Sequence, residues 1–298
     1  MRVGPYAIGS FDVVVDRIGR ADADGFPIVW THQASGLNPF IAMAAAARQA
    51  PRIEIGTALI PAVLRHPQAL AAEALTAQAA IDGRLTLGIG VSHRHVVEGR
   101  LGMSYERPAQ FMREYLDALL PLLRGEPADV RGERLTMVGA LDIDGVKPPP
   151  VLMGALGPRM LRLAGRLADG VITAAAGPRV LAEHIVPSMT TAADDAGRPP
   201  PRIVAAVVAC ITDDTESARN RIAATSKPYS TFPVFKAMLE REGVRSQVDI
   251  GIIGDEATAR AQAQRFIDAG ATELAIREST GTPEEAERTR SFLVSLLD

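Results

Sequence analysis

The chain has 298 residues, of which 47% are hydrophobic and 22% charged, with a formal net charge of -3. That is enough apolar material for a sizeable core, and no run of like charge is long enough to grip a polyanion, so nucleic acid is not an expected partner. The single cysteine, Cys210, rules out an internal disulfide or a cysteine-built zinc site, and the opening MRVGPYAIGS has no signal-peptide core. With no apolar stretch near the roughly 20 residues of a membrane helix, the expectation is a cytoplasmic protein with no membrane partner.

In chain order, short apolar or β-branched runs alternate with longer segments of helical period, the pattern of parallel strands joined by crossover helices. The strand candidates are Arg2 to Ala7, Pro27 to Trp30, Arg52 to Ile60, Arg84 to Val91, Pro150 to Ala155, Gly170 to Ala174, Arg202 to Ile211 and Glu273 to Arg277. They are as many as a (β/α)8 TIM barrel has, and several are apolar on both faces, as buried parallel strands must be. After Pro108, the residues Met112, Tyr115, Leu116, Leu119, Leu120 and Leu123 recur at helical spacing and predict a helix facing the barrel wall, ended by Gly125. Thr282, Pro283 and Glu285 predict the start of a last helix, as N-cap, first helical position and capping-box partner. Two segments exceed a minimal barrel. Gly125 to Pro149 reads as a hairpin before the fifth strand, and Thr212 to Asp249 as one or two extra helices after the seventh. Both are expected to wall the substrate pocket. No low-complexity linker interrupts residues 1–298, so one domain is expected.

In such a barrel, chemistry collects on the loops after the C-terminal ends of the strands. GIGVSHRH, Gly88 to His95, lies there and raises three readings: a metal pair, a phosphate loop or the rim of a redox pocket. The metal reading, as in a barrel hydrolase, needs further ligands, and of the remaining histidines only His32 is well placed, since His66 opens a helix and His184 lies within one. GTALIPA, Gly56 to Ala62, puts small residues where a flat ring could lie. A repeated Gly-Pro-Arg, at 157–159 and 177–179, follows the fifth and sixth strands. Each copy starts a helix whose first amides point outward. Arginine beside a helix N-terminus faces the positive end of the dipole unless an anion lies between them, so the pair of starts can cradle a phosphate or can simply punctuate two turns.

Taken together, ADADGFPIVWTHQ, RIEIGTALIPAVLRHPQALAAEALTAQAAIDGRLTLGIGVSH, YERPAQFMREYLDALLPLLRGE, LGPRMLRLAGRLADGVIT and GDEATARAQAQRFIDAGATELAI resemble, in order, the bacterial-luciferase-like flavin and deazaflavin oxidoreductases. GIGVSHRHVVEGRLGMSYERP and GPRMLRLAGRLADG look most like the actinobacterial branch that uses coenzyme F420. The resemblance implies a (β/α)8 barrel of the luciferase-like type, binding a flavin-like tricycle at its C-terminal face. It further implies a non-prolyl cis peptide at Ala58 and Leu59, with Leu59 behind the ring. Gly90, Val91 and Ser92 would border the ring edge, with His93 over it. Gly157, Pro158 and Arg159 would form the phosphate turn, completed by Thr173 and Gly177. His32 would stand over the ring face as the catalytic acid or base, while Thr31 replaces the acidic residue that often precedes it. The implied activity is F420-dependent hydride transfer to or from a small organic substrate. The alternatives are an FMN-dependent monooxygenase and, further off, a metal-dependent hydrolase or a cofactor carrier without turnover. A homodimer formed through helices beside the early strands is implied as well.

Overall fold

Strands buried on both faces need apolar residues at nearly every position, and all eight candidate runs become strands in the computed structural model, which describes residues 1–33 and 36–297. The first half runs β1 (Val3–Pro5), α1 (Phe11–Ala23), β2 (Ile28–Thr31), α2 (Pro39–Ala46), β3 (Glu54–Thr57), β4 (Ile60–Pro61), α3 (Pro67–Ala80), β5 (Leu85–Gly90), α4 (Arg94–Val97) and α5 (Pro108–Leu123). A hairpin of β6 (Ala128–Arg131) and β7 (Thr136–Gly139) follows. Next come β8 (Val151–Gly154), α6 (Pro158–Leu167), β9 (Gly170–Ala174), α7 (Pro178–Val180), α8 (Val186–Asp194) and β10 (Arg202–Ile211). The last part holds α9 (Thr215–Ser230), α10 (Pro233–Glu242), β11 (Ile252–Gly254), α11 (Glu256–Asp268), β12 (Glu273–Glu278) and α12 (Pro283–Val294).

The main sheet is parallel in the order β2, β3, β5, β8, β9, β10, β12, β1. It closes through a bridge between Tyr6 and Trp30, where the Ala7 amide donates to the Trp30 carbonyl at 2.8 Å. The result is an eight-stranded barrel wrapped by helices. The third run does not continue to Ile60 as one strand. It breaks after Thr57 at a cis peptide between Ala58 and Leu59, and β4 resumes pairing with β5. β11, absent from the sequence reading, adds a short parallel partner to the far end of β10.

Alternate residues of a strand face the same side, so the barrel interior can be followed level by level. At the N-terminal mouth Arg2 and Arg202 each pair with both Glu54 and Glu273, with Arg202 2.9 Å from Glu273 and 3.1 Å from Glu54. Above this ionic layer lie Ile28, Trp30, Leu152, Ile172, Val204 and Ala275. The Trp30 ring takes the space a side chain at position 56 would need. A Cβ there would lie 2.4 Å from Cζ3, so only glycine fits.

Outside the barrel, α5 buries Met112, Tyr115, Leu116, Leu119 and Leu123 as its spacing predicts, while Leu120 is only partly covered. Thr282 caps α12 by accepting from the Glu285 amide at 3.1 Å, but the Glu285 carboxylate accepts from Gly281 one residue early. Among the described residues no helix is long and apolar enough to cross a membrane.

Candidate functional site

The uppermost level of the barrel interior is divided by side-chain size. From β12, β1 and β2 come Arg277, Tyr6 and His32; the other strands present Ala58, Gly90, Gly154, Ala174 and Ala206. An open cleft of about 200 Å³ lies over this level, with the large polar side chains on one wall and small residues opposite. Leu59 lies over the small side. A Cβ at Gly154 would approach its Cδ1 to 2.4 Å, and one at Gly90 to 2.7 Å. The two glycines on β5 and β8 therefore make the slot into which the bulged third strand turns its leucine.

His32 meets the Tyr6 ring edge-on at 6.4 Å between centroids. Burial, and then the nearby Arg277 guanidinium, hold its pKa below the ordinary 6.5, so the ring is neutral at pH 7. Burial also pushes the Tyr6 phenol up, against the opposing effect of Arg277, so it stays protonated. The Arg277 side chain has no hydrogen bond or ion pair among the described residues. Thr31, next to His32, faces the other side of the strand, where its hydroxyl donates to the Gly56 carbonyl at 3.2 Å. It leaves the imidazole without the acidic partner that would fix its tautomer.

The rim after β5 follows the GIGVSHRH stretch. Val91 packs partly against the outer core, and Ser92 turns the chain with φ of 67° while its carbonyl accepts from the Tyr105 hydroxyl at 3.1 Å. His93 then faces the start of α10. Its ring lies 4.5 Å from Phe232 and 5.2 Å from Phe235, and the His95 ring is tilted against Phe232 at 4.4 Å. Burial, and then His95, keep the pKa of His93 low. Among the described residues no three His, Cys, Asp or Glu side chains gather as a metal ligand set.

The two helix starts differ. Gly157 and Pro158 open α6 with no side chain capping its first amides; nothing lies within 4 Å of where a Gly157 Cβ would be, and Arg159 is exposed. At Gly177 the corresponding place is taken. The Glu242 carboxylate, from the end of α10, accepts from the Arg179 amide at 3.2 Å and the Val180 amide at 2.8 Å, and a Cβ on Gly177 would run into it at 2.4 Å. Thr173 is not brought to either turn. It is 1% exposed and its hydroxyl donates to the Val204 carbonyl within the sheet. The expected substrate walls are corrected as well: Phe235 and Gln247 line the cleft, but no described residue of the segment 125–149 does. That segment leaves the bottom end of α5, and its hairpin is tied to the helix by Glu114, which accepts from the Arg134 and Leu135 amides at 2.8 and 3.0 Å. Tyr6, Arg277 and Glu242 were missed in the sequence. The strand alternation Glu273, Ala275, Arg277 could have put the arginine at the mouth, whereas nothing local pointed to Glu242.

The family model of the luciferase-like monooxygenases matches residues 2–293. Over 237 residues the chain is 29% identical to a 5,10-methylenetetrahydromethanopterin reductase of Methanolobus tindarius, covering 78% of this chain and 72% of that relative. It is 30% identical over 177 residues to a putative coenzyme F420-dependent oxidoreductase of Mycobacterium tuberculosis, 55% of this chain and 51% of the other. The solved coenzyme F420 dependent tetrahydromethanopterin reductase of Methanopyrus kandleri superposes with a TM-score of 0.79 over 98% of this chain and 95% of that one, at 21% identity, a likeness of fold.

Proposed function

Because the chain belongs to the luciferase-like monooxygenase family of oxidoreductases, we propose that its barrel mouth holds coenzyme F420 and a small organic substrate for hydride transfer. The observation that carries this reading is the division of the mouth. Ala58, Ala174 and Ala206 on one side leave room for a planar ring, with Leu59, seated over Gly90 and Gly154, behind it, and the polar wall of Tyr6, His32 and Arg277 faces that space.

The residues fit the cofactor's two ends. Gly90, Val91, Ser92 and His93 border the ring. The uncapped start of α6 at Gly157 and Pro158, with Arg159 beside it, suits a phosphate, since unsatisfied amides at the positive end of a helix dipole favour an anion. Gly177 joins that cradle once Glu242 moves aside. Bound F420 supplies a two-electron carrier whose C5 gives or takes a hydride at a substrate carbon. His32, neutral at pH 7, is suited to take the proton from a substrate hydroxyl as a hydride leaves the carbon that bears it; reduction runs both transfers backward. Thr31 has no part in the proton transfer.

FMN is the alternative cofactor, favoured by the monooxygenases for which the family is named. Titrating the protein with F420 and with FMN, followed by absorbance and fluorescence, separates the two. Saturable binding of F420 with weak FMN binding is expected; tight FMN retention without a response to F420 transfers the assignment to the monooxygenase. Two copies pair through α1 and α2, a reading supported by Ile41, 61% exposed on α2, and by Phe11 and Val13 on α1.

A further inference from the structure

The strand β12 places three side chains on the barrel interior at successive levels. Glu273 lies in the ionic layer with Arg2 and Arg202, Ala275 in the apolar layer, and Arg277 at the mouth. The neighbours of Arg277 along the strand, Ile276 and Glu278, point the other way: Ile276 into the outer core, Glu278 into a cavity between α1 and α12 beside Arg17, Arg20 and Arg290. Glu278 therefore cannot serve as a counter-ion. Most arginines of this protein are paired, including both in the ionic layer below and Arg290 on the flank, which pairs with Asp24. The Arg277 side chain is partly buried and has no acceptor among the described residues, in a cleft whose other polar side chains are Tyr6, His32 and Gln247 and whose remaining lining is apolar.

A guanidinium whose donors have no protein acceptor, at the open mouth of a mostly apolar cleft, is free to exchange water for the acceptor of a ligand. We infer that Arg277 anchors the carboxylate of the substrate, so that the protein acts on a compact, otherwise apolar organic acid whose reacting carbon is held between His32 and the small-residue side of the mouth. The count of cations decides between a carboxylate and a phosphate. Arg277 is the only Lys or Arg lining the cleft among the described residues, and His32 is neutral there, so one monoanion is matched and a dianion is not. A planar guanidinium also fits a carboxylate edge-on through two parallel hydrogen bonds. The Tyr6 hydroxyl and the Gln247 amide, which have no hydrogen bond among the described residues, remain to fix the orientation of the rest of the molecule. Because the same mouth must also admit the cofactor's ring, the space left for that molecule suits a small acid.

This inference rests on the hydride-transfer reading for the identity of the reaction but not for the anion site, so it is tested on the protein without cofactor. Benzoate and 3-phenylpropanoate, each with its uncharged amide, and phenyl phosphate are titrated by calorimetry into the wild-type protein, Arg277→Gln and Arg277→Lys. At least one carboxylate is expected to bind about tenfold or more tightly than its amide, as a charge-assisted pair would. Arg277→Gln should remove that preference, and Arg277→Lys should keep part of it. In the same titrations the carboxylate, by neutralising Arg277, should raise the pKa of His32 as followed by NMR of its ring protons, a response a purely structural arginine would not give. No carboxylate preferred over its amide, a preference that survives Arg277→Gln, or tighter binding of phenyl phosphate than of both carboxylates would overturn the assignment. F420 is titrated separately. Absence of F420 binding with the carboxylate preference intact would sink the cofactor reading alone, and the converse would sink this one alone.

Discussion

Glu242 occupies amides that the phosphate of the cofactor is proposed to share, and this competition has a measurable size. Its carboxylate accepts from two backbone amides at the first turn after Gly177, at 3.2 and 2.8 Å. Side chains that cap a helix start in this way contribute about 0.5–2 kcal/mol. A phosphate that takes the same amides must displace Glu242 and forfeit that contribution, and each 1.4 kcal/mol is about a factor of ten in affinity. Glu242→Ala should therefore bind F420 about two- to thirtyfold more tightly than wild type by fluorescence titration, while its own unfolding midpoint falls. The phosphate-free deazaflavin riboside provides the control, because it has nothing to place at the helix start and should bind both proteins alike. If F420 binds Glu242→Ala no more tightly than wild type, or if the riboside gains as much as F420, the phosphate lies on α6 alone and Glu242 is a structural cap.

Three further outcomes follow from the geometry. Gly88→Ala should cost at least about 1–3 kcal/mol in urea unfolding, because its Cβ would lie 1.9 Å from the Thr57 carbonyl oxygen, in backbone that cannot swing away; a stable variant would mean that β3 and β5 are not packed as described. Burial pushes the Glu114 carboxyl up, but the Gln110 side chain and the amides of Arg134, Glu133 and Leu135 outweigh it and hold the pKa below the ordinary 4.5. A group whose folded pKa is depressed stabilises above its unfolded value and loses that contribution as pH falls through the folded one, so wild type should lose stability in acid more steeply than Glu114→Gln, and parallel pH profiles would contradict the role given to Glu114. His32→Gln should lower kcat by about 10²–10⁴ with F420 affinity nearly unchanged, and in the oxidation direction should abolish the acid limb of kcat/KM expected below pH 6.5 as the imidazole of the free protein protonates; an unaltered pH profile would remove His32 from the proton transfer.

The architecture was readable because its causes are local. Each barrel strand is a short apolar run bounded by turn residues, and Thr282 with Pro283 at the start of α12 acts within one helical turn. The repeated Gly-Pro-Arg offered a phosphate cradle from its own residues, but only the resemblance chose that reading over two plain turns, and the break at Ala58 and Leu59 came through resemblance alone. β11 escaped because three residues carry no period. The hairpin was recognised but assigned to the wrong place, as a wall of the cleft. Its position depends on the buried Glu114 gathering amides about twenty residues further along the chain, a fact of tertiary packing that its own sequence does not contain.

The polar features of the site are less legible for the same reason, and their separation in sequence shows it. Glu242 reaches amides 62 and 63 residues away, across β10 and two helices. Arg277 reads in sequence as one more arginine in an arginine-rich chain, and acquires meaning only when strand alternation sets it at the mouth while the acidic residue beside it is turned to the outside. The uncapped start of α6, after β8, and the unpaired guanidinium on β12 lie three strands apart around the barrel mouth. On the proposed reading, a cofactor with a negative tail would be drawn to the free amides and a small acid to the guanidinium, so the two would be sorted by charge before their shapes are compared. On that basis raising the ionic strength should weaken carboxylate binding at the partly buried Arg277 only modestly, because burial limits screening.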